Sequence, residues 1–236
     1  MLKKFLYILP SKFSDYIFFS YQKLLFKYQS YYFCQNDLDL KIMKYIKKRN
    51  GVYLEIGAFD GLIGSVSLRF ENMLNWSGIL IEPLKSRYEK LKQFRGDKNI
   101  CVHSACTESD KNKTIELNNL GRMSFLNNKK KLQLNKKKHS KEANRLLLGN
   151  KKVELIPNNT LTNILLKYRF KNIDLAIIDV EGSELLLLKG LKLKEINIKF
   201  VCIETNNIKE TSKVLKKNNY SFLEKLSSND YLFKKR

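Results

Sequence analysis

Apolar and polar positions follow two rhythms along this chain. From Asp37 to Lys48 the residues Leu38, Leu40, Ile42, Met43, Tyr45 and Ile46 share one helical face, with Asn36 or Asp37 as N-cap. Gly51 ends that helix, and Val52 to Ile56 is a short β-prone run closed by Gly57. Beyond Gly61 the pattern predicts a helix to about Leu74, then a buried strand over Ile79 to Ile81 that ends at Glu82 and Pro83. Leu84 to Phe94 is spaced as an amphipathic helix, and Ile100 to Ala105 reads as a third strand.

The order so far is βαβαβ, which argues for a parallel sheet with right-handed crossovers and helices on both faces. Residues 107 to 153 break the rhythm, with a short strand at Thr114 to Leu117 and a loop at Gly121 to Ser124. Alternation resumes with a helix from Leu161 to Tyr168, a strand from Ile173 to Asp179, a helix from Ser183 to Leu188 and a strand from Phe200 to Glu204. Tyr220 to Phe233 closes the chain as a β-hairpin around Ser227 to Asp230.

At 236 residues one domain is expected. It occupies residues 35–236, preceded by an N-terminal amphipathic helical extension over 1–34. The start, MLKKFLYILP, is broken by Pro10, Lys12 and Asp15 and falls short of the ~20 apolar residues of a membrane span. Residues 13 to 33 carry Phe, Tyr and Leu with interspersed Lys, so they pack on the domain or make a peripheral membrane contact. Cys34, Cys101, Cys106 and Cys202 form no CxxC pair, which suits reduced thiols in a cytoplasmic protein and gives no metal-site spacing.

A formal charge of +22 ordinarily points to nucleic acid or an anionic surface. Here lysine is spread along the whole chain beside Asn, Ile and Tyr, as a general compositional bias would place it. The densest basic stretch, Lys129 to Lys141, lies in a lysine-rich insertion of about 122–152 and reads as a solvated segment.

Candidate chemistry concentrates where strands end. Leu54-Glu55-Ile56-Gly57-Ala58-Phe59-Asp60-Gly61 stands where the first strand turns toward a helix, the place where open parallel sheets bind ligands. Phe59 replaces the middle glycine of GxGxxG, which argues against a pyrophosphate cradle and so against a dinucleotide-dependent oxidoreductase. Glu82 ends the second strand, where a carboxylate can accept hydrogen bonds from both ribose hydroxyls of an adenosine group. Ile178-Asp179-Val180-Glu181-Gly182-Ser183-Glu184 crowds carboxylates at a third strand end. Asp179 there suits a general base on a substrate hydroxyl; Glu181 is a second catalytic candidate, or else Glu181 or Glu184 caps the following helix. Glu204 faces the same rim as a weaker candidate, and His103 reads as a hydrogen-bonded core or rim histidine.

Four stretches together resemble the FkbM family of S-adenosylmethionine-dependent O-methyltransferases: LEIGAFDGLIGSVSLRFE at 54–71, WSGILIEPLKSRYEKLKQFR at 76–95, IDLAIIDVEGSELLLLKGL at 173–191 and SSNDYLFKK at 227–235, with TLTNIL at 160–165 ahead of the third. The resemblance implies an α/β, Rossmann-like class I methyltransferase fold with a mostly parallel seven-stranded sheet, helices on both faces and the C-terminal antiparallel hairpin. It also implies methyl transfer from S-adenosyl-L-methionine to a hydroxyl of a small molecule or glycan. Glu55, Gly57, Ala58, Asp60 and Gly61 match the family's cofactor loop, with Phe59 among them, and Glu82 matches its ribose-binding acid, followed by Pro83. Ser104 and Ala105, in HSAC, stand where the family often has Asn before alanine, and Asp179 and Glu181 match its IDVEG segment. The acceptor does not transfer by analogy. An RNA-directed methyltransferase and a nonenzymatic binding module on the same fold are the rival readings.

Overall fold

The computed structural model describes residues 34–120, 123–127 and 152–236, with the side chains of Gln35 and Lys152 excepted. Residues 1–33 of the N-terminal extension, residues 121–122 and residues 128–151, most of the lysine-rich insertion, lie outside the described residues. Among the described residues no helix is long and apolar enough to cross a membrane.

The central sheet grows from β1 (Val52–Ile56), with β2 (Ser77–Glu82) and β3 (Ile100–His103) on one side and β8 (Asn172–Ile178) and β9 (Asn197–Glu204) on the other. Beyond β9 lie β11 (Asp230–Lys235) and then β10 (Tyr220–Lys225), completing seven strands in the order β10-β11-β9-β8-β1-β2-β3. β11 alone runs antiparallel to its neighbours in this sheet. The expected seven-stranded, mostly parallel sheet of the class I methyltransferase fold is therefore present, with the closing hairpin at its edge.

Continuous apolar runs in β1, β2 and β8 arise because both faces are covered. Leu54, Ile79, Ile81, Ala176 and Ile178 share one core with Leu161 and Leu165 of α4 (Leu161–Lys167), Leu187 of α5 (Glu184–Lys189) and Leu215 of α6 (Ile208–Lys217). Tyr53, Leu80, Leu175 and Ile177, of opposite parity, join Ile42 of α1 (Leu38–Met43), Phe70 of α2 (Ser67–Leu74) and Leu91 of α3 (Lys85–Arg95) on the other face. The register Leu54↔Ile79 and Leu54↔Ala176 holds the faces in step.

Several elements differ from expectation. α1 stops at Met43, and its N-cap residue Asp37 is left-handed with no side-chain capping bond. The segment after it is tied down individually: Ile46 is buried, the Trp76 indole donates to Lys48 O at 2.8 Å, and Lys48 meets Asp174 at 2.7 Å. α2 begins at Ser67, because Asp60 Oδ1 accepts from the amides of Leu62 and Ile63 and holds those residues in a turn. The third strand divides at Ser104: β3 stays in the main sheet, and β4 (Ala105–Cys106) pairs with β7 (Lys152–Asn159). With β5 (Thr114–Asn119) and β6 (Phe125–Leu126) these make a second sheet, ordered β4-β7-β5-β6, over a small core of Leu84, Ala105, Leu117, Leu126 and Ile156.

Candidate active site

Brought in from β2 to one side of β1 and from the 107–159 excursion to the other, the chain reverses its direction of sheet growth between β1 and β8. A cavity opens there, at the carboxyl ends of β1, β2, β8 and β9, where this topology places ligands.

Its floor is the turn after β1. Gly57 has φ +82°, and a Cβ on it would sit 1.8 Å from Asp179 O, so only glycine lets the ends of β1 and β8 meet this closely. Gly57 and Ala58 donate their amides to Ile81 O at 3.0 and 3.1 Å, and Asp179 donates to Ile56 O at 3.1 Å, which pins the strand ends to one another. Phe59 (φ 52°) and Glu181 (φ 47°) are left-handed non-glycine residues on the cavity wall, each a conformation that costs roughly 1–2 kcal/mol and recurs at functional sites.

Glu82 lines the cavity but is only 4 % exposed. Its Oε2 accepts from Phe59 N and its Oε1 from Leu84 N, each at 2.9 Å, so its carboxylate is aimed by backbone from both sides. Burial pushes its pKa up to about 8, against the opposing pull of those amides and of Arg87. Arg87 lies over the Phe59 ring, 4.3 Å from its centroid. Pro83, Ser104 and Ala105 continue this wall, joined by Leu117, Phe125 and Leu126 of the second sheet.

At the opposite end stand Asp179, Glu181 and Glu204, with Ser228, Asn229 and Asp230 at the hairpin tip. Asp179 Oδ1 is buried with no hydrogen-bond partner. Burial, then Glu204, Glu181, Glu184 and Asp230, push the Asp179 carboxyl well above the usual carboxylate range. Glu184, the first residue of α5, is 2 % exposed, and its Oε1 accepts from Gly182 N at 2.7 Å, in the turn before the helix; Ser183, the N-cap residue, makes no side-chain capping bond.

The family model described as the methyltransferase FkbM domain matches residues 55–233. The chain belongs to the FkbM methyltransferase family. No curated protein matches the chain by sequence. Among solved structures it is similar to the methyltransferase FkbM of Methylobacillus flagellatus KT, at 15% identity and TM-score 0.45, over 78% of this chain and 43% of that one. It thus spans under half the length of that FkbM protein. It is also similar to a precorrin-6y C5,15-methyltransferase of Geobacter metallireducens GS-15, at 9% identity and TM-score 0.44, over 84% of this chain and 85% of that one. A TehB-like SAM-dependent methyltransferase of Corynebacterium glutamicum ATCC 13032 Kitasato is similar at 7% identity and TM-score 0.44, over 96% and 100%.

Within this FkbM domain the cavity gathers most of the residues expected from sequence: Gly57, Ala58 and Phe59 in the turn, Glu82 and Pro83 at the end of β2, Ser104 and Ala105 after β3, Asp179 and Glu181 after β8, and Glu204 at the end of β9. Glu55 lines it too, yet its carboxylate is engaged elsewhere, accepting from Val66 N at 2.9 Å and from the Ser65 and Ser67 hydroxyls. From the face of β1 that α2 covers, it thereby holds the start of that helix. Asp60 and Gly61 are not on the cavity wall; Asp60 makes the turn already described, and Gly61 (φ +78°) lets the chain pass Leu91 and Arg95. His103 lies off the wall, its Nε2 2.9 Å from Pro83 O and its ring stacked on Tyr88.

Sequence reasoning missed Arg95 and the hairpin tip. The Arg95 guanidinium, 3 % exposed, donates to Gly61 O, to Ser65 and Ser67 Oγ and to Tyr53 OH, and pairs with Glu71 at 2.7 Å. It buttresses the Gly57–Ser67 segment from behind. Its position at the basic end of a lysine-rich helix gave no signal of burial.

Proposed function

We propose that this FkbM-family methyltransferase transfers a methyl group from S-adenosyl-L-methionine to a hydroxyl of a small molecule or glycan. The observation that carries the reading is a single cavity with a backbone-aimed Glu82 at one end and a partnerless Asp179 oxygen at the other. Glu82 suits the paired hydroxyls of a ribose, and the Ser104–Ala105 wall beside it suits the attached base. The cavity wall carries the carboxylates of Glu82, Asp179, Glu181, Glu204 and Asp230, which suits a cationic cofactor.

S-adenosyl-L-methionine, when bound, supplies an electrophilic methyl group on a sulfonium. The chain's own part is to position and to manage a proton. The Gly57–Phe59 turn and Glu82 fix one ligand, and Glu181, Glu204 and the hairpin tip hold the other against it; orientation of this kind contributes about 7–11 kcal/mol. Asp179 Oδ1 receives the hydroxyl proton, worth roughly 10²–10⁴ fold. Incubation of the full chain with methyl-tritiated cofactor and a metabolite, glycan and RNA panel tests this. Label in an alkali-stable ether of a hydroxyl compound supports the proposal; label confined to RNA, or to amines, refutes the acceptor class.

A further inference from the structure

Charge is sorted between the two ends of the main sheet. The carboxyl ends of the parallel strands hold the cavity and its carboxylates. Cations gather at the other end, where the chain enters those strands and leaves β11. Lys48, before β1, and Lys199, of β9, both reach Asp174 of β8, at 2.7 and 2.9 Å, with their own side chains 50 % and 57 % exposed. The carbonyl of Lys171, before β8, accepts from Asn197 N at 2.8 Å, and Asn197 Oδ1 accepts from the Lys235 ammonium of β11 at 2.9 Å. Arg236 donates its amide to Asn219 O at 2.8 Å, just beyond Lys216 and Lys217 at the end of α6. The row therefore follows the strand order β1-β8-β9-β11-β10. Neighbouring strands stand ~4.8 Å apart, inside the Debye length of about 8 Å at physiological ionic strength, so these cations act as one charged surface. The acids at this end do little to offset it: Asp174, its side chain 8 % exposed, lies behind its two lysines, Glu195 pairs with Lys192 at 3.1 Å, and Asp97 precedes β3 at the far edge of the sheet.

Within this row Arg169 and Lys171 are exposed and, among the described residues, pair with no carboxylate. They frame a surface hollow floored by Val52, Leu166 and Phe170, and Leu166 is 36 % exposed. We propose that this entry end of the sheet docks on an anionic lipid surface, with Arg169 and Lys171 at the headgroups, the apolar floor turned to the bilayer and the cavity facing away from it. Unpaired cations around exposed apolar side chains join the two attractions that hold a protein on such a surface. RNA, the other polyanion, matches this end less well. Single-stranded RNA is held by aromatic faces presented to its bases, whereas the rings beside the hollow, Tyr168 and Phe170, pack against the core. A polynucleotide acceptor would also have to enter the carboxylate-lined cavity, at the opposite end of the strands. The proposal is independent of which acceptor the cavity takes.

Cosedimentation of the full chain with phosphatidylcholine vesicles that contain phosphatidylserine, against vesicles of phosphatidylcholine alone, tests this. Residues 1–33 and the lysine-rich insertion carry cations of their own, so the variants reverse charge at the entry end and leave those segments intact. Arg169→Glu combined with Lys171→Glu removes two surface cations and is expected to weaken partitioning into the anionic vesicles about thirtyfold or more. Lys209→Glu combined with Lys225→Glu makes the same change in net charge at the cavity end, and should weaken it less than about threefold. Circular dichroism checks each fold, and Lys47→Glu with Arg49→Glu, before β1 in the same row, replaces the first pair if that variant does not fold. Partitioning by the parent chain should require phosphatidylserine and fall as salt is raised. No preference for the anionic vesicles, equal losses in the two charge-matched variants, or full binding in the entry-end variant overturns the proposal. So does binding of a single-stranded RNA oligonucleotide through the same residues with no binding to vesicles.

Discussion

Replacing Arg95 by Met removes the buttress behind the cofactor loop while keeping most of the side chain's length. The guanidinium is 3 % exposed and its partner Glu71 carries a side chain only 11 % exposed, so the variant strands a carboxylate in the interior. Breaking a buried pair from one side costs about 3–5 kcal/mol. The remaining donors to Glu71, Tyr53 OH at 2.7 Å and Asn99 Nδ2 at 2.8 Å, bring the expectation to the lower end of that range. With a urea slope of roughly 2–3 kcal/mol/M, the midpoint falls by about 1–1.5 M. Cofactor affinity should fall as well, because Gly61 O, Ser65 and Ser67 lose a shared donor, and Ser65 and Ser67 in turn hold Glu55. Urea unfolding followed by tryptophan fluorescence reads the first effect directly, since Trp76 is fully buried in the adjoining core. In a double-mutant cycle Glu71→Gln should recover part of the loss. A midpoint shift under about 0.3 M, or strict additivity of the two substitutions, would refute the claim that the pair is a coupled support.

Gly57→Ala forces a Cβ to 1.8 Å from Asp179 O at φ +82°, and should cost roughly 2–5 kcal/mol together with a loss of cofactor binding of more than about tenfold, read by denaturation and calorimetry on the same preparation. Glu82 keeps its proton in the ligand-free fold up to about 8, above its ordinary value, so its stabilising contribution is present at low pH and disappears as pH rises through that value. The melting temperature of Glu82→Gln relative to the parent protein should accordingly increase from about pH 5 to pH 9; a difference that is flat or declines across this range contradicts the burial argument.

How much of this was legible in the sequence follows from the physics of each element. β1, β2 and β8 are covered on both faces, so they appear as largely apolar runs, and the ligand-facing residues Gly57, Glu82 and Asp179 stand at or directly after their carboxyl ends. β7 was invisible: Val153 and Leu155 are exposed, Pro157 interrupts the run, and the pairing that makes it a strand comes from Thr114–Asn119, far away in sequence. α6 carries a readable signal that the sequence reading left unused: Ile208, Thr211, Val214 and Leu215 share one face toward the core, and Asn207 caps the helix by accepting from Glu210 N. Glu55 matches a cofactor-loop pattern by position, but only the three-dimensional path of residues 65–67 shows where its carboxylate is spent. Asp230 joins the site because β11 inserts beside β9 and sets Asp230 opposite Glu204, a register no local pattern encodes.

The central claim is that the cavity between Glu82 and Asp179 is a site for S-adenosyl-L-methionine. Calorimetric titration of the full chain with that ligand and with NAD, repeated on Glu82→Ala, tests it most directly. The account predicts micromolar binding of S-adenosyl-L-methionine alone, weakened at least about tenfold in the folded variant, which corresponds to a loss of roughly 1.4 kcal/mol or more. Binding of NAD in its place, no binding of either ligand by the folded protein, or an affinity unchanged in Glu82→Ala would contradict it.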